Sequence, residues 1–239
     1  MTKATRNISF IHAPNNYKYS IIIPAAGQGL RMKSCGVKSL ISLTSQINVI
    51  QNQLNIIQNK FRSYEVILVT GFQSERLMKN TPNDIVKIEN EHYEDTNVCR
   101  SIGIGLKAAT TNKVIIIYGD LVFNKQALDV KFNKGSTLII DSSNTMTDNE
   151  VGCTIDNGKI EQVLYDLPNK WAQIAYFTNT ELELLKKLAY DRNNDKLYGF
   201  ELINEIINNG GEFTSIQPDG IRANDIDIPT DITIAQQII

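Results

Sequence analysis

Ile21-Ile22-Ile23-Pro24-Ala25-Ala26-Gly27-Gln28-Gly29-Leu30-Arg31-Met32, with Lys38-Ser39-Leu40 a short way downstream, decides how this chain is read. An apolar run leads into a turn of small residues, two glycines stand two apart, and two cations follow. Glycine has no Cβ, so its amide can face an anion that any side chain would obstruct. Arginine adds a planar fork for phosphate oxygens, and lysine a compact charge on a flexible stem. The pattern predicts a strand, a turn that cradles a polyphosphate, and two side chains that neutralise it. Two familiar phosphate loops are excluded. A Walker loop requires Gly-Lys-Ser/Thr, whereas Leu30-Arg31 follows Gly29. The dinucleotide fingerprint requires a third glycine where Met32 stands.

Working outward, short apolar runs at 20–25, 65–70, 84–89 and 113–118 read as buried parallel strands. Between them Ile47, Ile50, Leu54, Ile57 and Phe61 recur at helical spacing. Val98, Ile102, Leu106 and Ala109 do the same, with Asn97 at the N-cap position. Further strands are predicted at 138–140, 151–155, 159–164, 173–177 and 212–217, with Asp156-Asn157-Gly158 as a tight hairpin. Helices are predicted at 180–190 and 198–208. The expected fold class is α/β, a Rossmann-like single domain with a mixed, mostly parallel central sheet covered by helices on both faces.

The 239 residues are 42% hydrophobic and 21% charged, with a net charge of −2. Such a chain can bury a sizeable core and has no electrostatic footprint for duplex nucleic acid, so no nucleic-acid partner is expected. No apolar segment approaches the ~20 residues of a membrane-spanning helix, so no membrane partner is expected either. Cys35, Cys99 and Cys153 are scattered and odd in number, which suggests neither a disulfide framework nor a zinc site. They read as reduced thiols, and the expected location is cytoplasmic. Residues 1–18, basic and without acids, read as an N-terminal extension and a candidate for pairing two copies into a homodimer.

Chemistry on a triphosphate calls for a divalent ion, and hard cations prefer carboxylate oxygen. Asp120 ends the run Val114-Ile115-Ile116-Ile117-Tyr118-Gly119-Asp120, and ligands of open α/β sheets gather beyond the carboxyl ends of strands. Asp225 and Asp227 would point the same way on a strand, so one or both could face the same ion. Taken singly, an aspartate at a strand end is more often a turn or helix cap.

The stretch from Pro24 to Met32, with Lys38-Ser39-Leu40, resembles the signature of the nucleotidyltransferase superfamily. That pattern reads Ala-Ala-Gly-x-Gly-x-Arg-Leu/Met, a spacer, then Pro-Lys-x-Leu; here Val37 replaces the proline. The superfamily includes sugar-phosphate nucleotidyltransferases, phosphocholine and aminoalkylphosphonate cytidylyltransferases, and molybdenum-cofactor guanylyltransferases. The resemblance implies one domain at 19–239, with a nucleotide-binding half to residue 120 and an acceptor-binding half beyond it. It implies that Ala25, Ala26, Gly27, Gln28 and Gly29 hold the nucleotide and that Arg31 and Lys38 are catalytic. Gly119-Asp120 is similar to the family's metal-binding aspartate, and Asp225-Ile226-Asp227 to its late acidic-x-Asp motif. The resemblance therefore implies Mg2+ on Asp120 and Asp227, with Asp225 in support. The stretch from Asn90 to Asn97, with Ser101, is similar to phosphocholine-type cytidylyltransferases. That places Asn97 and Ser101 near the base or ribose and makes CTP the first expectation, while helix capping explains the same residues equally well.

Gly71, ending another strand in Thr70-Gly71-Phe72, is expected to close the nucleotide pocket. Trp171, Tyr165 and Tyr176 are candidates to line an acceptor pocket, where aromatic rings suit a quaternary ammonium, although strand aromatics are mostly core. Asp166 and Lys170 flank Trp171 in what reads as a short loop, and Asp166 is a candidate acceptor contact. The implied reaction is attack by a phosphate or phosphonate oxygen on the α-phosphorus of an NTP, with pyrophosphate leaving in line. Phosphocholine, an aminoalkylphosphonate and a sugar phosphate are the acceptors considered. Such catalysis is positioning plus charge neutralisation. A GT-A-type glycosyltransferase using a nucleotide-sugar is the nearest alternative, but Gly119-Asp120-Leu121 carries one acid where its Asp-x-Asp belongs. A non-catalytic nucleotide-binding module would not need Arg31, Lys38, Asp120 and Asp227 together.

Overall fold

β1 (Tyr19–Ala25) is buried along its whole length, because it runs between β2 (Tyr64–Thr70) and β4 (Lys113–Ile117), parallel to both. The computed structural model describes residues 16–29, 32, 36–142 and 150–239. β3 (Val86–Glu89) adds a parallel edge beside β2. β9 (Asn169–Thr178) lies antiparallel to β4 on one side and to β6 (Thr137–Ile140) on the other. β10 (Thr214–Ile216), β8 (Lys159–Tyr165) and β7 (Val151–Asp156) complete a mixed sheet of order β3-β2-β1-β4-β9-β6-β10-β8-β7 among the described residues.

Alternation along β1 sends its isoleucines to two cores. Ile21 and Ile23 pack with Ile50 and Ile57 of α1 (Val49–Lys60). Ile22 packs on the other face with Ile102 and Leu106 of α3 (Val98–Ala108), Leu185 of α4 (Asn179–Tyr190) and Ile203 of α5 (Gly199–Asn208). α1 starts where it does because Asn48 Oδ1 accepts from the Gln51 amide at 2.9 Å while Gln51 Oε1 accepts from the Asn48 amide at 3.0 Å. At the hairpin, Asn157 and Gly158 both take positive φ, 48° and 79°, as a tight antiparallel turn requires.

Four elements lie outside the sequence reading. α2 (Ser74–Lys79) is short, and α6 (Pro229–Gln236) closes a small apolar cluster through Ala235, Val122 and Ile226. β5 (Leu121–Phe123) and β11 (Ala223–Asp225) form a separate antiparallel ribbon, with Asp225 opposite Leu121. β9 also begins earlier than its apolar run indicates, so Lys170 and Trp171 stand in a strand and not in a loop.

Candidate active site

The turn after β4 is fixed from several sides. Gly119 N–H donates to the Pro24 carbonyl at 3.0 Å, and Ser39 Oγ donates to the Gly119 carbonyl at 2.7 Å. From α1, the buried Gln53 Nε2 donates to the carbonyls of Tyr118 at 2.8 Å and Leu121 at 2.6 Å. The Asp120 carbonyl accepts from Ile226 N–H at 3.1 Å, which ties β11 to the same turn. Just beyond β11, Asp231 Oδ2 accepts from the amides of Asp227 at 2.7 Å and Ile228 at 2.8 Å as α6 begins. Backbone bonds thus fix the turns that carry Asp120 and Asp227.

Those carboxylates converge on Lys38, whose Nζ donates to Asp120 Oδ2 at 2.9 Å and to Asp227 Oδ1 at 2.6 Å. Burial pulls the Lys38 pKa down, but Asp120 and Asp227 outweigh it and hold the ammonium well above the usual lysine value. Asp225, beside them, is pushed up to about 6 by burial first and then by Asp120 and Asp227, against the opposing pull of Lys170 and a Gln173 hydrogen bond. Two carboxylates that reach one ammonium can also reach one divalent ion. Among the described residues no group of three or more His, Cys, Asp or Glu side chains forms a metal cage. A pair of acids suits Mg2+, which keeps several waters and takes its other ligands from phosphates.

A cleft opens beside this cluster, lined by Ala25, Ala26, Gly27, Gly29, Lys38, Asn97, Ser101 and Asp120. Gly29 has φ +58°, and a Cβ there would stand 3.0 Å from Lys38 Cγ, so glycine lets the lysine stem pass. Gln28 is half-buried beside the lining residues. Gly71 stands behind the cleft and does not line it; a Cβ there would lie 2.7 Å from the Ala26 carbonyl. Asn97 is at the N-cap of α3, but its side chain caps nothing. Its Nδ2 donates instead to the Lys196 carbonyl at 3.1 Å. Asn90, which the sequence reading does not single out, organises the rim by donating to Thr96 Oγ1 at 3.1 Å and Ser101 Oγ at 3.3 Å. Arg31 lies outside the described residues, as do Cys35 and most of the N-terminal extension.

The acceptor-side expectations need correction. Trp171 is 3% exposed, donates Nε1–H to the Ile174 carbonyl at 3.2 Å and meets Tyr118 edge-on at 5.6 Å, leaving almost no surface for a ligand. Tyr176, 1% exposed, packs with Tyr19 and Phe132 at the opposite end of the sheet from Asp120. Both face inward because strand alternation turns them to the cores. Asp166 is exposed in the turn between β8 and β9, with φ 61°. Lys170 is buried and paired with Glu150, with Asn224 Oδ1 at 3.4 Å. Tyr165 and Tyr198 are exposed, on either side of Phe200 at centroid distances of 5.0 and 5.8 Å. Their signal in the sequence is Tyr198-Gly199-Phe200 at a helix start.

The sequence profile of the MobA-like NTP transferase domain matches residues 21–134. None of the curated proteins matches the chain significantly. Among solved structures, the chain is similar to CTP:phosphocholine cytidylyltransferase from Streptococcus pneumoniae, with a TM-score of 0.76 and 17% identity over 92% of this chain and 98% of that one. It is also similar to the inositol-1-phosphate CTP transferase from T. maritima, at 0.73 and 12% over 92% and 95%. A nucleoside-diphosphate-sugar pyrophosphorylase from Vibrio cholerae RC9 gives 0.67 and 15% over 91% and 99%. These likenesses establish the fold, whose cleft carries the paired acids and the lysine. The family match thus covers residues 21–134, the segment that carries the glycine turn, Lys38 and Asp120.

Proposed function

We propose that this protein transfers CMP from CTP to a small phosphorylated or phosphonate acceptor carrying an ammonium group, with Mg2+ as cofactor and pyrophosphate as product. The observation that carries this reading is Lys38 between Asp120 and Asp227 at the mouth of the glycine-lined cleft. Amides of the turn at 26–29 face the triphosphate tail, and Arg31 balances the departing pyrophosphate. Lys38, a compact cation on a flexible stem, follows the charge that builds between α-phosphate and acceptor. When bound, Mg2+ on Asp120 and Asp227 neutralises triphosphate oxygens. A phosphate dianion is nucleophilic at neutral pH, so no general base is needed.

Support for CTP comes from Asn97 and Ser101. Asn97 Nδ2 is committed to Lys196, which leaves Oδ1 to accept, and Ser101 Oγ accepts from Asn90, which leaves its proton to donate. Cytosine presents an amino donor next to a ring-nitrogen acceptor, and uracil presents the reverse. Two of the similar structures are named for CTP. Support for a cationic acceptor comes from Tyr165 and Tyr198, exposed beside Phe200. We further read the chain as one cytoplasmic domain with a nucleotide half before residue 121. No described helix is long and apolar enough to cross a membrane.

The experiment is pyrophosphate release with each of the four NTPs, Mg2+ and a panel of phosphocholine, 2-aminoethylphosphonate and glucose 1-phosphate. Release that requires phosphocholine or the phosphonate, fastest with CTP, supports the proposal. Release with glucose 1-phosphate alone replaces the acceptor, and nucleotide-sugar hydrolysis replaces the reaction.

A further inference from the structure

Asp141 is wholly buried just past the end of β6 and takes no part in the chemistry assigned to the cleft. The register of β6 on β9 shifts between Leu138 and Ile140, where β9 bulges at Gln173, φ +53°. Beyond the bulge the two strands stay together. Ile140 pairs with Trp171, and Asp141 N–H donates to the Lys170 carbonyl at 2.9 Å. The backbone of Asp141 thus belongs to the main sheet, but its side chain crosses to the ribbon. Asp141 Oδ2 accepts at 2.9 Å from the N–H of Ala223, the first residue of β11. Lys170 crosses alongside: its buried ammonium pairs with Glu150 and donates to Asn224 Oδ1, on the next residue of β11, at 3.4 Å.

A leucine would fill the space at 141 without the cost of burying a carboxylate. What the acid supplies is an acceptor for a buried main-chain amide. The ribbon needs such support, since β5 and β11 pair over three residues only and a two-stranded ladder is marginal by itself. Asn52 and Gln53 of α1 hold β5 through the carbonyls of Phe123 at 3.1 Å and Leu121 at 2.6 Å. Asp141 and Lys170 hold β11 at Ala223 and Asn224. β5 starts directly after Asp120, and β11 ends two residues before Asp227, so the two anchors govern where the paired acids stand. We propose that Asp141 is a positioning residue for nucleotidyl transfer: its carboxylate docks β11 on the main sheet through Ala223 and so sets Asp227 opposite Asp120. This inference rests on the transferase reading given above.

The test compares wild type with Asp141→Leu, Asp141→Ser and Asp141→Asn. The measurements are thermal midpoint, kcat and KM in the pyrophosphate assay well below each midpoint, and Mn2+ affinity by electron paramagnetic resonance without nucleotide. Leucine offers no acceptor and serine is too short to reach Ala223, whereas asparagine keeps a carbonyl oxygen in place. In Asp141→Leu and Asp141→Ser, kcat and Mn2+ affinity should each fall about tenfold or more. KM for CTP should stay within about twofold, because no residue of β5 or β11 lines the nucleotide cleft among the described residues. Asp141→Asn should keep kcat and Mn2+ affinity within about threefold of wild type. Parental kcat and Mn2+ affinity in a folded Asp141→Leu or Asp141→Ser protein would overturn the proposal. Losses in Asp141→Asn as large as in Asp141→Leu would overturn it too, by assigning the effect to charge. Failure of both Asp141→Leu and Asp141→Ser to fold would mark a structural role alone and count against it equally. If wild type releases no pyrophosphate with any acceptor, the transferase reading fails, and Mn2+ affinity still decides for or against Asp141.

Discussion

Lys38 and Asp227 stand 189 positions apart in the sequence and 2.6 Å apart in the folded protein, with Asp120 completing the cluster. Lys38→Ala removes the only charge that bridges the two acids among the described residues. It should lower kcat/KM a hundredfold or more, on the order of 3 kcal/mol of transition-state stabilisation. The fold should survive, since both carboxylates keep access to solvent once the lysine is gone. Near-parental turnover by a folded Lys38→Ala protein would refute the role.

Asp225 makes stability depend on pH. Its pKa is raised to about 6, chiefly by burial. A carboxyl whose folded pKa exceeds its unfolded one adds stability that is complete below about pH 4 and lost as pH rises through about 6. In EDTA, Asp225→Asn should therefore melt higher than wild type at pH 7.5, by on the order of 1 kcal/mol, with the gap closing toward pH 4. A variant that melts lower at pH 7.5 would show the carboxylate to be stabilising instead.

Asn97→Ala should erode base choice. With the Oδ1 acceptor gone, discrimination between CTP and UTP in a competition assay should fall by about tenfold or more. The thermal midpoint should fall little, because the Asn97 side chain caps no helix and its bond to the Lys196 carbonyl lies exposed. Unchanged discrimination would move base recognition elsewhere.

The positions of β1, β2 and β4, the glycine turn and the emergence of Asp120 beyond β4 are legible in the sequence, because a strand buried on both faces leaves an unbroken apolar run. The meeting of Lys38 with Asp227 has no local signature; it appears only once β11 pairs with β5. Period-two alternation tells that Trp171 and Tyr176 face inward, but not that the sheet covers them completely. The bulge at Gln173 leaves no trace, since glutamine is not a turn residue. α6 does carry a start signal, with Pro229 at its first position and Asp231 two residues on, but its apolar pattern is too short to stand out.

Tyr165 and Tyr198 should matter to the acceptor alone. Replacing both with alanine should raise KM for phosphocholine about tenfold and leave KM for CTP unchanged, as loss of two cation–π contacts implies. An unaltered phosphocholine KM would remove the aromatic patch from the acceptor site.

Cys99 and Cys153 are buried, and burial pushes both thiols up to about 12. At pH 8 neither should supply enough thiolate to react. Peptide mass mapping after iodoacetamide should find both unmodified in the folded protein and alkylated in guanidinium. Rapid native labelling of either would contradict its placement.

The β5–β11 ribbon has a bearing on biosynthesis. Asn124 Oδ1 accepts from Arg222 N–H across 98 positions, and such distant partners meet late and slowly. A nascent chain on the ribosome can lay down β1 to β4 and their glycine turn while residues 223–227 are still untranslated. Such a half-made chain has one acid where the proposed transfer calls for two, so under that proposal it would bind a triphosphate without turning it over.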